Sequence, residues 1–563
     1  MLRSLTLRCG TREDPQPVKI DIAGIVCVVG PNNSGKSFLL KQLEHSLRVM
    51  GEYKPEFIVD FDIVSNLQYY NEVIDPNTET VMAARLADAR SHTENVHTLH
   101  ALELPEFGKN MAVNINKASL LETLKQYHGG ANSYYELGLS GFFTFLTSRL
   151  DGRSRFQLMS PSQSSDYRSN PKTILQVLFK CPGEMNSVRR YVSDAFGLYP
   201  VIDAQGMETL QWRFSRRELP SWFSESKIGV KSISFLDKCL ASHEVSDGVL
   251  AYTGLVAALH AGGFLLTLVD EPEAFFHPPL ARKLGRDLAK ILEAKKGTLI
   301  AATHSPDFVF GCIDSGYPTT ILRMDYRDGK CSPKVVDPNV LKKFLAHPLF
   351  RSIGVASSLF YDGVVITEAD NDRAVYSEIY RKIALQGDRT PEVLFLNAQN
   401  KNTLHEIFGP LREFGIPAAA IADIDALKDE LTRMFEPARI PKAMRPGLNH
   451  LKTHLIDTLK KANLDLKKPN VVSQLTLEDQ ENAEKLFQDL NKYGIFVVPV
   501  GELECWLKDM EISGDKTRWA KEVLQRLGDD ANDPGYIAIG DGDIWKFVKS
   551  ITAWIADPNR KGM

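Results

Sequence analysis

Hydrophobic runs of strand length alternate with helical patterns in two parts of the chain. Near the start, the β-rich segments Ser4–Leu7 and Ile25–Val29 are followed by a helix that begins near Lys36. From Ser246 onward, helices and strands alternate again. The elements predicted there are a helix from Ser246, strand 264–269, helix Pro279–Ala294 and strand Thr298–Ala302. Such alternation is typical of a mainly parallel sheet with helices on both faces.

A second alternation occupies the C-terminal part of the chain. Its predicted elements are strand Gly363–Thr367, helix Asp372–Ile383, strand Glu392–Leu396, helix Asn402–Phe414, strand Ala418–Ala422 and strand Ile495–Pro499. The short apolar strands separated by helices again predict an α/β domain with a parallel sheet. We therefore expect an α/β protein of two domains, residues 1–345 and residues 359–563.

Residues 51–240 interrupt the first alternation with a mixed pattern. We interpret them as an insertion into the first domain. Within it, helices are predicted at Ala118–Tyr127 and Asn170–Phe196, and a strand at Arg155–Leu158.

The segment Val249–Val269 contains no Asp, Glu, Lys or Arg and is long enough to span a membrane. Gly262 and Gly263 divide it into a helical part and a β-like part that runs into Asp270. A buried helix followed by a buried parallel strand explains this pattern better, so we predict no membrane association.

The composition is that of a folded globular protein, since 43% of the 563 residues are hydrophobic and 25% are charged. The formal net charge of -4 excludes a global basic field, so any contact with nucleic acid must come from a local patch. The seven cysteines are scattered without a C-x-x-C pair, which excludes a zinc ribbon and indicates a reducing cytoplasm.

Residues 30–37, Gly-Pro-Asn-Asn-Ser-Gly-Lys-Ser, match the phosphate-binding pattern G-x-x-x-x-G-K-[ST] between a β-rich run and a helix. The glycines let backbone N–H groups face the phosphates of ATP. Lys36 would neutralise the β- and γ-phosphates, and Ser37 would coordinate Mg²⁺. The residues of this loop that we predict to bind ATP are Gly30, Asn32, Asn33, Ser34, Gly35, Lys36 and Ser37.

Asp270 and Glu271 end the hydrophobic strand 264–269. Beside a phosphate-binding loop, the first carboxylate would hold Mg²⁺ and the second would polarise the attacking water. An acidic helix N-terminus is the structural alternative for this pair. Its occurrence together with the loop at residues 30–37 favours the catalytic interpretation.

Two further features extend the predicted ATP site. His304 follows strand Thr298–Ala302, where it could contact the γ-phosphate, although a lone histidine after a strand is more often structural. Ser246 and Gly248 open a helix whose N-terminus could dock a phosphate or could simply be capped by the serine.

Four carboxylates follow two strands of the second domain. Glu368 ends the first strand with Asp372 four residues later, and Asp423 and Asp425 end the strand Ala418–Ala422. We expect Asp423 and Asp425 to be alternate positions of a strand tip, with both side chains on one side. At one edge of a parallel sheet, these acids would hold one or two Mg²⁺ or Mn²⁺ ions, as phosphodiester cleavage requires. Solvated acids at strand ends are the structural alternative.

A basic stretch lies downstream of these acids. Between Lys442 and Lys468, seven Lys and Arg residues stand against Asp457 and Asp465. The stretch could follow a phosphate backbone or form a solvated basic helix, and the sequence favours neither.

The order of the motifs in the first domain resembles that of ABC-type ATPases of the SMC and DNA-repair kind. The segments GPNNSGKS, DEPEAFFHP and THSPDF are most similar to the OLD (overcoming lysogenization defect) family and related defence ATPases. In such heads ATP is sandwiched between two protomers. The resemblance therefore implies a homodimer or higher homo-oligomer, in which Ser246–Gly248 of one head caps the γ-phosphate held by Lys36 of the other.

The acids of the second domain resemble those of the Toprim domain of OLD nucleases, type II topoisomerases and primases. The resemblance implies that Glu368 is a metal ligand or general base and that Asp372, Asp423 and Asp425 bind metal. Glu504, after strand Ile495–Pro499, resembles a further acidic OLD motif and would be an additional ligand.

The whole resemblance implies an ATP-hydrolysing, metal-dependent nuclease that acts on DNA or RNA in bacterial anti-phage defence, where a partner defence protein can take part. Two other functions fit the same sequence. One is an SMC-like DNA-binding or repair ATPase with an inert acidic site, although no long heptad pattern is evident. The other is a sensor ATPase that controls a toxin-like Toprim nuclease cutting tRNA. A topoisomerase or primase relative is disfavoured, because its ATPase would be of another type and because the zinc-binding cysteine cluster usual in a primase is absent from the sequence.

Overall fold

The computed structural model divides into two compact units, one containing Met1–Val29 and Asn33–Pro338, the other containing Asn339–Met563. The residues that the structure describes are 1–10, 15–48, 55–73, 86–88, 96–100, 102, 112–166, 169–327, 329–337, 339–340, 354–386, 390–400, 403–428, 430–464, 470–507, 516–528, 530, 532–533, 535–540 and 542–563. The chain between the two predicted domains falls mostly in 341–353, which lies outside the described residues.

A six-stranded sheet forms the centre of the first unit. Its strands follow one another in the order Lys334–Val336, Thr319–Arg323, Ile25–Val29, Thr298–Ala302, Leu266–Asp270 and Thr147–Leu150. All neighbours are parallel except the edge strand Lys334–Val336, which is antiparallel. Ile25–Val29 and Thr298–Ala302 are buried along their whole length, as expected for strands covered on both faces. The predicted parallel sheet is confirmed.

Smaller antiparallel sheets complete the first unit. In one, Leu2–Gly10 pairs with Pro15–Asp21, Ile58–Ile63 and Lys330–Cys331, and Lys330–Cys331 also pairs with Tyr326–Arg327. The insertion contributes the other two. Their strands are Tyr199–Asp203, Thr209–Ser215, Leu240–Ala241 and Ser162–Gln163 in one sheet, and Leu86–Asp88, Val96–His100 and Ala112–Asn116 in the other.

Helices cover the sheets of the first unit. They are Lys36–Arg48, Leu67–Val73, Lys117–Gln126, Gly130–Glu136, Ser140–Phe143, Gly152–Gln157, Ile174–Lys180, Pro182–Phe196, Val230–Leu236, Asp247–Ala261, Pro278–Lys295 and Pro306–Asp314, with 3-10 turns at Thr144–Leu146 and Ser242–Glu244. The largest core in this unit packs side chains of helix Lys36–Arg48 against both the central sheet and Leu2–Gly10.

Two predictions for the insertion require correction. The strand predicted at Arg155–Leu158 is wrong, because Gly152–Gln157 is a helix. Asp151 and Ser154 form a reciprocal capping box at its start, which favours a helix over extended backbone. The single helix predicted at Asn170–Phe196 is two helices, since Pro182 begins a new helix after Cys181.

The apolar segment before Asp270 forms a helix, Asp247–Ala261, and a strand, Leu266–Asp270, as predicted. Twelve of the fifteen helical residues are buried. No helix in the described part of the chain is long and apolar enough to cross a membrane.

The second unit is built on a four-stranded parallel sheet. Its strand order is Val393–Asn397, Gly363–Thr367, Ala418–Ala422 and Ile495–Val497. Its helices are Asp370–Gln386, Leu404–Glu413, Glu430–Met434, Arg445–Lys461, Leu477–Asn491, Lys516–Arg526 and Asp543–Ala556, and its 3-10 turns are Val355–Phe360, Ile424–Leu427, Val472–Gln474 and Leu503–Cys505. The predicted α/β domain is confirmed, with the C-terminal helix Asp543–Ala556 packed into its core.

Candidate functional site

The loop after strand Ile25–Val29 has the geometry of a phosphate-binding loop and leads directly into helix Lys36–Arg48. Gly35 has a left-handed φ of 84°, and a Cβ at this position would lie 2.5 Å from the ring of Phe57. Only glycine fits, because any side chain would meet both backbone strain and a clash. The turn sets the loop at the N-terminus of a helix, a position that favours an anionic ligand.

Ser37 and Asp270 are bonded to each other across the sheet. Ser37 Oγ donates to Asp270 Oδ1 at 2.8 Å. Asp270 ends its strand, and strand Thr298–Ala302 separates that strand from Ile25–Val29. A hydroxyl and a carboxylate are ligands that Mg²⁺ takes beside a nucleotide. The structure therefore brings together the two oxygens predicted to hold the metal of the ATP site, and their chemistry fits it.

Lys36 is almost completely buried beside this pair. The residue is 5% exposed, and its Nζ donates to Ser34 Oγ at 3.4 Å. Burial lowers the pKa of Lys36 to about 8. The negative charges of Asp270, Glu271 and Glu273 partly oppose this shift. A cation held with little water around it gains strongly from an anionic ligand, so the loop is suited to a triphosphate.

Glu271 takes a backbone conformation that is rare for its residue type. Its φ is 49°, its N–H donates to Ala302 O at 2.8 Å, and its side chain is exposed. A left-handed conformation costs a non-glycine residue roughly 1–2 kcal/mol. Contacts around the loop must therefore hold it in place. The result is an exposed carboxylate on a fixed backbone, directly after Asp270.

Glu273 connects this acidic loop to the segment after strand Thr298–Ala302. Its Oε2 accepts from Thr303 Oγ1 at 2.8 Å, and its Oε1 accepts from the backbone N–H of His304 at 2.7 Å. Burial raises the pKa of the Glu273 carboxyl. The structure thus places His304 beside the acidic loop, although contact of its side chain with a γ-phosphate stays a prediction. The sequence analysis did not single out Glu273, and the signal that could have found it is the third acid of D-E-P-E.

Ser246 occupies the N-cap position of helix Asp247–Ala261 and is exposed. Its hydroxyl accepts no hydrogen bond from the described backbone N–H groups of that helix. A Cβ at Gly248 would lie 3.1 Å from the carbonyl oxygen of Phe275, so the start of the helix packs on the chain just after the acidic loop. Capping of ATP on a second copy by Ser246 and Gly248 stays a prediction.

In the second unit, Glu368 and Asp423 meet at the C-terminal edge of the sheet. They directly follow the adjacent parallel strands Gly363–Thr367 and Ala418–Ala422. The backbone N–H of Asp423 donates to Glu368 Oε1 at 3.0 Å, and Asp423 is buried. This is the sheet edge at which open α/β folds bind ligands.

The expected strand-tip arrangement of Asp423 and Asp425 is wrong. The strand ends at Ala422, and Ile424–Leu427 is a 3-10 turn that Asp423 precedes. The turn is held in part by Ile424, whose N–H donates to Gly501 O at 3.2 Å. Because side chains of a 3-10 turn repeat every three residues, the two aspartates do not share one side as alternate strand positions would.

The acids of this sheet edge act on Tyr376, a buried residue of helix Asp370–Gln386. Its ring is buried, and its hydroxyl accepts from Trp506 Nε1 at 2.9 Å. The pKa of Tyr376 is raised by burial and by the negative charges of Asp423, Asp372 and Glu368. The charges of three of the four predicted carboxylates therefore act on one buried phenol, which sequence patterns had not indicated.

Glu504 lies in the 3-10 turn Leu503–Cys505, after the neighbouring strand of the same sheet. Its Oε2 is buried and accepts no hydrogen bond from the described residues. Among those residues, no three His, Cys, Asp or Glu side chains form a group that could hold a metal ion as they stand. The oxygen donors suit Mg²⁺ or Mn²⁺ in kind, and Mg²⁺ is often held by only one or two carboxylates together with water.

Two family models match successive parts of the chain. Residues 64–309 match the model described as "AAA domain, putative AbiEii toxin, Type IV TA system". Residues 359–425 match the model described as "Overcoming lysogenization defect protein-like, TOPRIM domain". The chain has the ATPase–Toprim architecture of the OLD family. The resemblance to that family stated from sequence is confirmed, while the P-loop at residues 30–37 lies upstream of the first match and is assigned by its own sequence and geometry.

Similarity of this OLD-type chain to individual proteins is limited. Protein ea59 of Escherichia phage lambda is 51% identical over 41 residues, and this match spans 7% of the chain and 8% of the phage protein. The SMC head bound to the C-winged helix domain of ScpA matches with 12% identity and a TM-score of 0.34, covering 61% of this chain and 99% of that one.

Two other solved structures are similar to the OLD-type chain at the same level. The SMC head domain from Thermotoga maritima matches with 13% identity and a TM-score of 0.28, covering 60% of this chain and 99% of that one. The protein cbiO1 of Clostridium perfringens, part of an ABC transporter complex, matches with 12% identity and a TM-score of 0.26, covering 62% and 96%. These TM-scores are low, so the ATPase fold rests on the family model, the strand order and the P-loop.

The basic stretch of the OLD-type chain forms the helix Arg445–Lys461 and its flanks. Lys452 donates to Thr432 Oγ1 at 2.8 Å and is therefore engaged within its own domain. The exposed lysines are Lys442, Lys460 and Lys461. Residues 465–469, which include Lys467 and Lys468, lie outside the described residues. Contact with nucleic acid through this stretch stays a prediction.

Proposed function

We propose that this chain binds and hydrolyses ATP in its first domain and cleaves phosphodiester bonds of DNA or RNA in its Toprim domain with Mg²⁺ or Mn²⁺. The bond between Ser37 Oγ and Asp270 Oδ1, beside the buried Lys36, carries the ATPase part. The bond from the N–H of Asp423 to Glu368 at the Toprim sheet edge carries the nuclease part.

In the ATP reaction, Lys36 binds the β- and γ-phosphates, while Ser37 and Asp270 hold Mg²⁺. Glu271, whose carboxylate is exposed directly after Asp270, polarises the water that attacks the γ-phosphate. His304 contacts the γ-phosphate from the turn that Glu273 holds against the acidic loop.

In the nuclease reaction, Glu368 and Asp423 would be the central metal ligands. Asp372, whose charge acts on Tyr376 together with theirs, would join them. Asp425 and Glu504 are further candidate ligands of the metal ions. Bound divalent ions supply stabilisation of the attacking and leaving oxygens of the phosphodiester. Glu368, which ends a buried strand, is placed to act as the general base for the attacking water.

We propose that two copies join through their ATPase heads. The N-terminus of helix Asp247–Ala261 carries the positive end of a fifteen-residue helix dipole, and Ser246 is exposed there. Docked on the γ-phosphate held by a second copy, it would make dimerisation depend on ATP. We also propose that the protein acts in the cytoplasm and does not bind a membrane.

A role in bacterial defence against phage is supported by the OLD-like Toprim match. A partner defence protein is compatible with that role. The substrate in this setting is nucleic acid of the phage or of the host.

Two observations support other functions. The description of the ATPase model names a putative toxin of a type IV toxin–antitoxin system, which supports a sensor ATPase that controls a toxin-like, tRNA-cleaving Toprim domain. Among the described residues no ready-made metal cluster exists, which supports an SMC-like DNA-binding or repair ATPase with an inert acidic site.

One experiment separates these functions. Purified full-length protein is incubated with plasmid DNA, linear DNA and tRNA, with Mg²⁺ or Mn²⁺, and with or without ATP. Wild type is compared with Glu368→Ala, Asp423→Ala and Lys36→Ala, and with Asp489→Ala as a surface control that loses only a pair with Lys492. We expect cleavage that Glu368→Ala and Asp423→Ala abolish. Cleavage of tRNA alone identifies the toxin-like function, and absence of all cleavage with intact ATP turnover identifies the ATPase with an inert acidic site.

A further inference from the structure

Arg155 is a fully buried arginine outside the motifs that define the ATP site. Its guanidinium donates to the backbone carbonyls of Glu271 and Pro272, each at 2.9 Å, through two different nitrogens. Its Nε donates to Asp151 O at 3.1 Å. The planar fork of an arginine can hold two neighbouring carbonyls in a fixed orientation, which a lysine cannot do. Arg155 therefore clamps the backbone of the acidic loop itself.

The clamp acts on the residue whose conformation needs it. Glu271 has a left-handed φ of 49°, and its N–H is already bonded to Ala302 O on the neighbouring strand. Its C=O is held from the other side by Arg155. Both peptide groups that flank the Glu271 Cα are thus fixed while its carboxylate stays exposed. Loss of the second bond would let the loop relax toward an ordinary conformation and move the carboxylate.

The same arginine lies against the helix that Ser246 caps. A Cβ at Gly254 of this helix would lie 2.6 Å from the carbonyl oxygen of Arg155, so the two backbones are in direct contact. The next residue, Phe156, packs edge to face on Phe275, with ring centroids 5.0 Å apart. Phe275 in turn lies under Gly248 at the start of the helix. Helix Asp247–Ala261, Arg155 and the acidic loop therefore form one packed body.

We propose that Arg155 is a positioning residue that fixes the Glu271 carboxylate for water activation and joins the acidic loop to the helix beginning at Asp247. This inference rests on the proposed ATPase function. In a head-to-head dimer that helix docks on the nucleotide of the second copy, so docking at one ATP would be transmitted to the water-activating carboxylate at the other. Arg155 acts through Glu271 and touches no nucleotide.

The test uses the full-length protein with Mg²⁺ and ATP. Arg155→Met keeps the length and bulk of the side chain but removes its donors. We expect kcat to fall by about 10- to 100-fold, because a displaced catalytic group loses its alignment, while ATP affinity in a binding titration changes less than about twofold. Arg213→Met is the matched control: it breaks a partly buried bond to Asp203 at 3.3 Å in the sheet of strands Tyr199–Asp203 and Thr209–Ser215 and leaves the acidic loop alone. We expect its kcat to stay within about twofold of wild type.

A double-mutant cycle distinguishes positioning from general support of the fold. In a Glu271→Gln background, Arg155→Met should lower kcat no further, because both changes remove the same contribution. An equal loss of kcat in both backgrounds, or a parallel loss of ATP affinity, would show that Arg155 has only a structural role and would overturn the proposal.

If the Arg155→Met variant does not fold, the same kcat measurements on Arg155→Lys test the proposal instead. A lysine lacks the rigid fork that fixes both carbonyls but can still donate to them, so we expect a smaller loss of kcat that again vanishes in the Glu271→Gln background. Wild-type kcat in a folded Arg155→Lys variant contradicts the clamp. Wild-type kcat in Glu271→Gln alone contradicts the proposed role of Glu271 instead, so the two failures are distinguishable.

Discussion

The two acidic sheet edges of this chain look alike in sequence but differ in the groups that contact their carboxylates. At the ATPase edge, Asp270 is bonded to Ser37, and the loop after it is held by Arg155 and Glu273. At the Toprim edge, backbone N–H groups donate to Glu368 Oε1 and to Asp372 Oδ2, and no described group of three acids could hold a metal as it stands.

This difference follows from the charges that each edge contains. The ATPase edge carries the buried cations Lys36 and Arg155 next to its carboxylates, so the charges compensate each other without a ligand. At the Toprim edge, the negative charges of Asp423, Asp372 and Glu368 help to raise the pKa of the buried Tyr376. Like charges repel until a cation arrives. We therefore expect ATP to bind a preformed site, and a divalent metal to assemble its own site.

The largest expected effect is the loss of ATP turnover in Lys36→Ala. The change removes the buried cation that faces the phosphates, and we expect turnover to fall by at least about 100-fold. Binding of Mn²⁺ to the Toprim edge, followed by electron paramagnetic resonance, should remain. Lys41→Ala, an exposed lysine on the same helix, is the control and should keep full turnover. Unchanged turnover in Lys36→Ala would disprove ATP hydrolysis at this loop.

The converse change is Asp423→Asn or Glu368→Gln. Each removes one negative charge that a metal ion needs, and we expect nucleic-acid cleavage to fall by about 100-fold while ATP turnover stays within about twofold. Cleavage is measured on labelled DNA and tRNA, and ATP turnover by phosphate release. Asp489→Asn, on helix Leu477–Asn491 and paired with Lys492, serves as the control. Equal loss of both activities would mean that the two edges do not act separately.

A smaller effect is expected for Glu273→Gln at the ATPase edge. Both Glu273 oxygens accept hydrogen bonds, from Thr303 Oγ1 and from the N–H of His304, and an amide can accept only one of the two. The buried donor left over should lower the free energy of unfolding by about 1–3 kcal/mol. Chemical denaturation measures it, with the exposed Glu293→Gln as the control. Unchanged stability would mean that the acidic loop is not held from this side.

The smallest effect is expected for Glu504→Gln at the Toprim edge. The buried Oε2 of Glu504 accepts no bond from the described residues, which suits a ligand that waits for a metal ion. We expect Mn²⁺ binding to weaken by no more than about tenfold, because Glu368 and Asp423 remain. Calorimetric titration with Mn²⁺ measures the change. Greater stability with unchanged Mn²⁺ binding would show that Glu504 is only a strained buried acid.

Local sequence patterns determined most of the framework. The strands Ile25–Val29, Thr298–Ala302, Gly363–Thr367 and Ala418–Ala422 lie where their apolar runs predicted them, because buried parallel strands need continuous hydrophobic residues. The P-loop was also predictable from its sequence pattern. Its glycine Gly35 has a backbone conformation and a surrounding space that admit no side chain. At Arg155–Leu158 the hydrophobic pattern predicted a strand. The segment is helical instead, because Asp151 and Ser154 cap the helix Gly152–Gln157.

What only the tertiary structure decided is the set of contacts that join distant segments. Arg155 lies more than a hundred residues from Glu271, and Tyr376 meets Trp506 across a similar separation. Periodicity and spacing report which face of an element is buried, but not which side chain it meets there, because that depends on how sheets and helices pack. The sequence alone therefore identified the carboxylates of both edges. The fold decided that buried cations lie next to the carboxylates of the ATPase edge and that backbone N–H groups donate to two carboxylates of the Toprim edge.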